Sequence, residues 1–242
     1  MLKMSVFLLL VSAITLTCSD DSGVSGAADG SIQIGVIREA GGSYVFQRLS
    51  ALANDRALLN SATITDLTYR QIPPDFNPDT LAKFDIIYLA EDWAVTASNV
   101  YENIKANKEV LLAYIENGGA LYSDQPNAYD RLPNGQITID FLADSFTVSA
   151  RYTNEQISIV DPDHYITSGL DSTEMPLAGD QVADLPASYE VLAQGSSTGY
   201  PALFVSTYGS GKILFCMGSA SNNAIHAFSN QAHLRMISWL VK

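Results

Sequence analysis

Asp85-Ile86-Ile87-Tyr88-Leu89-Ala90 is an apolar run without polar alternation. A strand with one wet face alternates apolar and polar residues, whereas a strand covered on both faces has no need to. The run is therefore predicted to be a strand at the centre of a parallel sheet. Upstream, Ile32-Gln33-Ile34-Gly35-Val36-Ile37 reads as a first strand. Gly41-Gly42-Ser43 and then Val45, Phe46, Leu49, Leu52 and Ala53 at helical spacing follow it, which makes a β-loop-α unit. A second strand is expected at Ala62 to Tyr69. Downstream, Val100, Ile104, Leu111 and Ile115 form the buried stripe of a helix that stops at Asn117-Gly118-Gly119, where glycine can take the left-handed C-cap conformation. Ala120-Leu121-Tyr122-Ser123 is then the fourth strand. Strands alternating with helices over short connections predict an α/β domain with right-handed crossovers.

Beyond this unit the pattern changes. Ile137 to Leu142 is expected to be a helix, and shorter strands are expected at Ser158 to Val160 and Glu190 to Ala193. Ala202 to Thr207 and Lys212 to Met217 flank Tyr208-Gly209-Ser210-Gly211 and read as an antiparallel hairpin. A final helix is expected over Ile225 to Leu240. Gly209-Ser210-Gly211-Lys212 is not read as a phosphate loop, because Ile213 begins a strand where such a loop would open a helix.

The N-terminus has a different character. Residues 1–18 carry one charge, Lys3, and an apolar run from Met4 to Leu16, the build of a secretory signal peptide. A membrane span needs roughly 20 apolar residues, and Ser19-Asp20-Asp21 arrives too early for one. Thr15-Leu16-Thr17-Cys18 resembles a bacterial lipoprotein box, although Thr15 and Thr17 depart from its preferred residues. Lipidation at Cys18 is the expectation, with plain secretion as the alternative. Residues 19–30 are Ser, Gly, Ala and Asp with a lone Val24, a composition that forms a flexible tether. The protein is thus expected to be exported to the cell envelope, lipid-anchored to the outer membrane or cell surface, or otherwise periplasmic or secreted.

From residue 31 about 210 residues remain, enough for one domain with a substantial core, and 47% of the chain is hydrophobic. The net charge is −13, and it becomes −14 once Lys3 leaves with the leader. Such a surface repels phosphate backbones, so no nucleic-acid partner is expected, and membrane contact is expected through the lipid alone. With Cys18 in the leader, Cys216 is a lone thiol in the apolar run Ile213 to Met217 and is read as buried and inert.

Several phrases together resemble the class I glutamine amidotransferase-like superfamily, especially its ThuA-like branch. They are Phe84-Asp85-Ile86-Ile87-Tyr88-Leu89, Tyr114-Ile115-Glu116-Asn117-Gly118-Gly119-Ala120-Leu121, His164-Tyr165-Ile166-Thr167-Ser168-Gly169-Leu170 and Tyr208-Gly209-Ser210-Gly211-Lys212-Ile213. The resemblance covers residues 32–240. It implies a three-layer flavodoxin-like sandwich with a mostly parallel central sheet and a C-terminal antiparallel hairpin. The superfamily's amidotransferases place a nucleophilic cysteine in a glycine-flanked elbow after the fourth strand; this chain reads Tyr122-Ser123-Asp124-Gln125-Pro126 there. Glutamine hydrolysis is therefore not expected.

Ligands of doubly wound sheets sit beyond the carboxyl ends of the strands. That rule gathers Arg38 and Glu39, then Glu91, Asp92 and Trp93, then Ser123, Asp124 and Gln125, with Asn222 and His226 after the last strand. Acids, an indole face and amides suit a sugar or another neutral polar ligand, and ordinary loop polarity is the competing reading of the same residues. Three readings stay open. One is a non-catalytic binding or assembly module with a carbohydrate or protein partner, consistent with the ThuA-like resemblance. Another is a serine hydrolase with Ser123 as nucleophile, His226 as base and Glu91 or Asp92 orienting it. The last is a structural domain without a small ligand.

Gly41-Gly42-Ser43 could receive an anion at a helix N-terminus or serve only as a tight turn. Asp161-Pro162-Asp163-His164 has metal-ligand residue types but reads as a turn around Pro162, and His233 reads as an ordinary helix residue. No metal and no cofactor are called for. The anchor is tested by Cys18→Ser: the variant is expected to leave the membrane fraction for the soluble one, and retention on membranes would refute acylation at this residue.

Overall fold

The computed structural model describes residues 31–38, 48–52, 62–67, 77–90, 93, 100–126, 135–175, 177–218 and 229–242. The leader, Cys18 and the tether, the Gly41-Gly42-Ser43 turn, and Glu39, Glu91, Asp92, Asn222 and His226 lie outside them.

Five strands run parallel: β1 (Ile32–Ile37), β2 (Ala62–Asp66), β3 (Ile86–Leu89), β4 (Ala120–Ser123) and β10 (Gly211–Cys216). Their order is β2-β1-β3-β4-β10, the 2-1-3-4-5 arrangement of flavodoxin-type sheets. β3 sits in the middle, and all four of its residues are buried, as its unbroken apolar run requires.

Alternate side chains of these strands feed two cores, one on each face. Ile34, Val36, Tyr88, Tyr122 and Leu214 pack with Leu49 and Leu52 from helical residues 48–52 and with Met236, Ile237 and Leu240 from the C-terminal helix. On the other face Ile37, Ile87, Leu89, Leu121 and Phe215 meet Leu81, Val100, Ile104, Leu111 and Ile115. The helices are α1 (Pro78–Leu81), α2 (Val100–Ala106), α3 (Lys108–Glu116) and α4 (Asn230–Leu240). The single helix expected over 100–115 is thus two, divided at Asn107, whose N–H bonds to the carbonyls of Asn103 and Ile104. The expected stripe is buried in both pieces. The stop after α3 is as expected, with Gly118 in the left-handed region at φ +102°.

β10 also pairs antiparallel with β9 (Pro201–Tyr208), which is the expected hairpin. The sheet then continues through β8 (Glu190–Gly195) and β6 (Phe146–Ile159) to β5 (Gln136–Ile139), with β7 (Leu177–Val182) also on β6. Ten strands therefore form one mixed sheet among the described residues, and its later half is antiparallel. The expectation of a mostly parallel sheet is corrected on this point.

The helix expected at Ile137 to Leu142 is also corrected. Ile137 and Ile139 are buried while Thr138 between them is exposed, which is strand periodicity, and the segment pairs with Phe146 to Ser149. Among the described residues no helix is long and apolar enough to cross a membrane.

The join between the halves is tight. A Cβ on Gly211 would stand 1.9 Å from the Ile115 carbonyl oxygen and 2.3 Å from that of Gly119. Backbone cannot move aside as a side chain can, so Gly211→Ala is expected to cost about 2–3 kcal/mol and roughly 5–10 °C in Tm. Gly199, with φ +71° and open space around its Cβ position, is the control: its alanine variant should lose only about 1 kcal/mol, from left-handed backbone strain. Thermal denaturation separates the two, and equal losses would contradict this account of the join.

Candidate functional site

The parallel strands end at Arg38, Ala90, Ser123-Asp124 and Met217-Gly218. Ser123, Asp124 and Trp93 are fully buried. The Trp93 indole Nε1 donates to Ser123 Oγ at 3.1 Å and to the Asp124 carbonyl at 3.3 Å. Ser123 Oγ in turn donates to the Asp124 carbonyl at 3.0 Å, and the Tyr88 hydroxyl donates to Asp124 Oδ2 at 3.1 Å. The indole is held in place by aromatic packing, stacked on Tyr101 and edge-on to Phe141.

Three of the residues expected to grip a ligand from a rim are therefore interior groups. The physical reason is that a buried indole N–H needs an acceptor, and leaving one unmade costs about 1–3 kcal/mol. The end of β4 supplies it. Ser123 is consequently not displayed on a strained elbow of the kind a serine nucleophile uses.

Gln125 is half-buried and lies on Gly179, where a Cβ would stand 2.3 Å from Gln125 Nε2. Gly179 belongs to β7, which crosses the end of β10: its N–H bonds to the Met217 carbonyl at 2.9 Å, and Ala178 bridges to Gly218. Asp180, the next residue, is buried there as well. Arg38 is committed to Asp66 at the end of β2, with Nη2 to Oδ2 at 2.6 Å. The structure thus brings Trp93, Ser123, Asp124 and Gln125 together and turns Arg38 toward Asp66.

Sequence reasoning missed Tyr88, Tyr122 and His233 as neighbours of this network. Tyr88 and Tyr122 lie with ring centroids 4.2 Å apart, and the His233 ring is 6.0 and 5.8 Å from them. The available signal was parity: Tyr88 and Tyr122 sit at matched register on β3 and β4 and so share a face. Burial, and then the Asp124 charge, raise both phenols well above their usual range. The same two causes raise the Cys216 thiol, and this cysteine is fully buried, as expected. Burial and the Arg48 charge pull His233 down to about 3, which makes it neutral in the folded protein.

Asp161 Oδ1 accepts from the N–H groups of Asp163 and His164 at 3.0 and 3.1 Å. That carboxylate organises a turn, in agreement with the sequence reading of the segment. A cleft of about 240 Å³ opens at the opposite end of the sheet between α1 and α3, lined by Phe84, Asp85, Tyr114 and Gly118 among others. Its polar groups are already engaged: Asp85 accepts from the Gln33 N–H, and the Tyr114 hydroxyl bonds the backbone of Phe84 and Ala120.

No protein-family model and no curated protein matches the chain. Solved structures do. A cytoplasmic protein from Salmonella typhimurium aligns with a TM-score of 0.60 at 14% identity, covering 86% of this chain and 99% of that one. Proteins described as ThuA-like from Parabacteroides merdae and Bacteroides uniformis align at TM-scores of 0.53 and 0.52 with 13% and 12% identity, covering 88% and 87% of this chain and 90% and 91% of theirs. At such identities the likeness is one of fold, and it supports the ThuA-like resemblance carried by the sequence phrases.

The buried imidazole makes a pH prediction. Unfolded, His233 titrates near 6.5; folded, near 3. Below 6.5 the unfolded chain takes up a proton that the folded one refuses, so this contribution is whole above 6.5 and drains away as pH falls toward 3. His233→Gln should therefore flatten the fall of Tm between about pH 6.5 and 4 relative to the parent. Parallel curves would show that His233 is not a buried neutral group.

Proposed function

We propose that the chain is a non-catalytic, amidotransferase-like module of an envelope lipoprotein, serving to bind or assemble a partner, with a role in glycan handling. The observation that carries the non-catalytic part is the state of Ser123. Its hydroxyl is fully buried, receives the Trp93 N–H and gives its own proton to the Asp124 carbonyl. A nucleophile needs that oxygen within reach of both a base and a substrate. Ser123 closes β4 and is held against the Trp93 indole, and the turn that follows it carries no sulfur. The leader and its Cys18 support the envelope placement, and the phrases shared with ThuA-like domains support the glycan connection. The serine-hydrolase alternative has Ser123 burial against it.

Purified full-length chain is expected to show no turnover of glutamine, p-nitrophenyl esters or p-nitrophenyl glycosides, and Ser123→Ala should change only stability, by about 1–2 kcal/mol. A rate lost in Ser123→Ala would refute the non-catalytic reading. The binding role is read by thermal shift against a panel of envelope glycans. A saccharide at about a hundred times its Kd adds about 2.7 kcal/mol, and a panel without any shift would remove the glycan role.

A further inference from the structure

The cleft between α1 and α3, about 240 Å³ in volume, lies at the end of the sheet away from the Trp93 network. An apolar cavity of roughly 150 Å³ holds a benzene, so there is room here for one ring and a short arm. Glycines set its aromatic walls. The Tyr114 ring lies on Gly119, where a Cβ would stand 2.3 Å from the ring carbons, and Phe84 lies on Gly35, where a Cβ would stand 3.1 Å from Phe84 Cγ. Ala82, Val110 and Ala113 extend the apolar lining.

The polar character of the cleft is one-sided. The backbone donors around it are spent: the N–H groups of Phe84, Asp85, Asn117, Gly118 and Gly119 bond to the carbonyls of Leu81, Gln33, Ala113, Ile115 and Tyr114. The Tyr114 hydroxyl is spent as well, on the backbone of Phe84 and Ala120. Acceptor capacity remains. Half-buried Asp85 receives the Gln33 N–H on Oδ2 at 2.7 Å, which engages one of its two oxygens. The ion pairs among the described residues are elsewhere, Arg38 with Asp66 and Lys105 with Asp140, so no base neutralises this carboxylate. Asn117 uses its Nδ2 on the Ala113 carbonyl at 2.8 Å, which leaves its Oδ1 as an acceptor.

The surrounding charge has the same sign. α3 ends at the cleft through Asn117, Gly118 and Gly119, and the C-terminus of a helix carries partial negative charge. Of the charged residues that adjoin the lining in sequence, Asp79, Glu109 and Glu116 are acids and Lys83 is a base, all four exposed. The chain as a whole carries −13, which raises the local concentration of cations. An uncommitted carboxylate oxygen beside aromatic rings suits an ammonium group on an apolar body, because the ammonium donates to the carboxylate and is attracted by the rings. An anion would meet Asp85 and the helix end, and a sugar would find the backbone donors taken. We infer that this cleft binds a small organic cation, a protonated amine on a single-ring body, with Asp85 receiving the ammonium and Phe84 and Tyr114 against the ring. The inference is independent of the strand-end network and of the glycan role.

The test titrates isotopically labelled full-length chain with 2-phenylethylammonium, 2-phenylethanol and phenylacetate, and follows the amide resonances of Gly118 and Gly119. The amine is expected to shift both resonances saturably, with a Kd at least about tenfold lower than the alcohol's, and phenylacetate to leave them in place. Asp85→Asn keeps an acceptor for the Gln33 N–H and removes the charge, so it should abolish the preference for amine over alcohol. Ala113→Phe, at an exposed position on the rim, should fill the cleft and weaken the amine by at least about tenfold with Tm unchanged; it decides the matter if Asp85→Asn fails to fold. Glu102→Gln, an exposed acid of α2 that does not line the cleft, should change nothing. No saturable shift with the amine, equal binding of amine and alcohol by the parent chain, or amine binding that survives Ala113→Phe would overturn the proposal.

Discussion

The two-sided pairing of β10 holds the molecule together. On one edge it runs parallel to β4, with Ile213 opposite Leu121; on the other it runs antiparallel to β9, with Ile213 opposite Ser206. A strand committed in both directions cannot slip, since a shift of one residue would turn every side chain to the wrong face. The N-terminal end of β10 is wedged against the backbone of α3 and its C-cap, and its C-terminal end is bridged by β7. The edge of the parallel half, where a doubly wound sheet ordinarily receives ligands, is consequently roofed in part by the antiparallel half.

That roofing explains the chemistry of the edge. Once Trp93 is folded in, its N–H needs an acceptor, and the hydroxyl and carbonyl at the end of β4 provide it. Asp124 is a buried acid beside the phenols of Tyr88 and Tyr122, and Tyr88 donates to it. Buried polar groups of this kind are costly when partly satisfied and rigid when fully satisfied. A strand end of this kind takes its chemistry from the groups that surround it, and function follows the site rather than the fold.

The parallel half was largely legible in the sequence. β1 and β4 fall where the apolar runs place them, and the glycine stop after α3 is where the left-handed cap predicts it. The antiparallel half was less legible, for specific reasons. Gln136-Ile137-Thr138-Ile139 carries a period of two that four residues barely distinguish from a helix turn. β7 contains Gly179 and Asp180, both poor strand formers, and is held by its pairing to β6 and Met217. β6 changes register between Ala150 and Glu155, which blurs its pattern. At the site, the strand-end rule gathered Trp93, Ser123, Asp124 and Gln125, which the structure also brings together. It could not show which way they face, because that depends on Phe141 and Tyr101, distant in sequence, clasping the indole.

The oxygen at position 123 is sealed inside the protein. The most direct test of this is to treat the folded protein with a fluorophosphonate, which phosphonylates activated serines, and to map adducts by peptide mass spectrometry. Ser123 is expected to stay unmodified under native conditions. A stoichiometric adduct on Ser123 would contradict it and return this edge of the sheet to the enzymes.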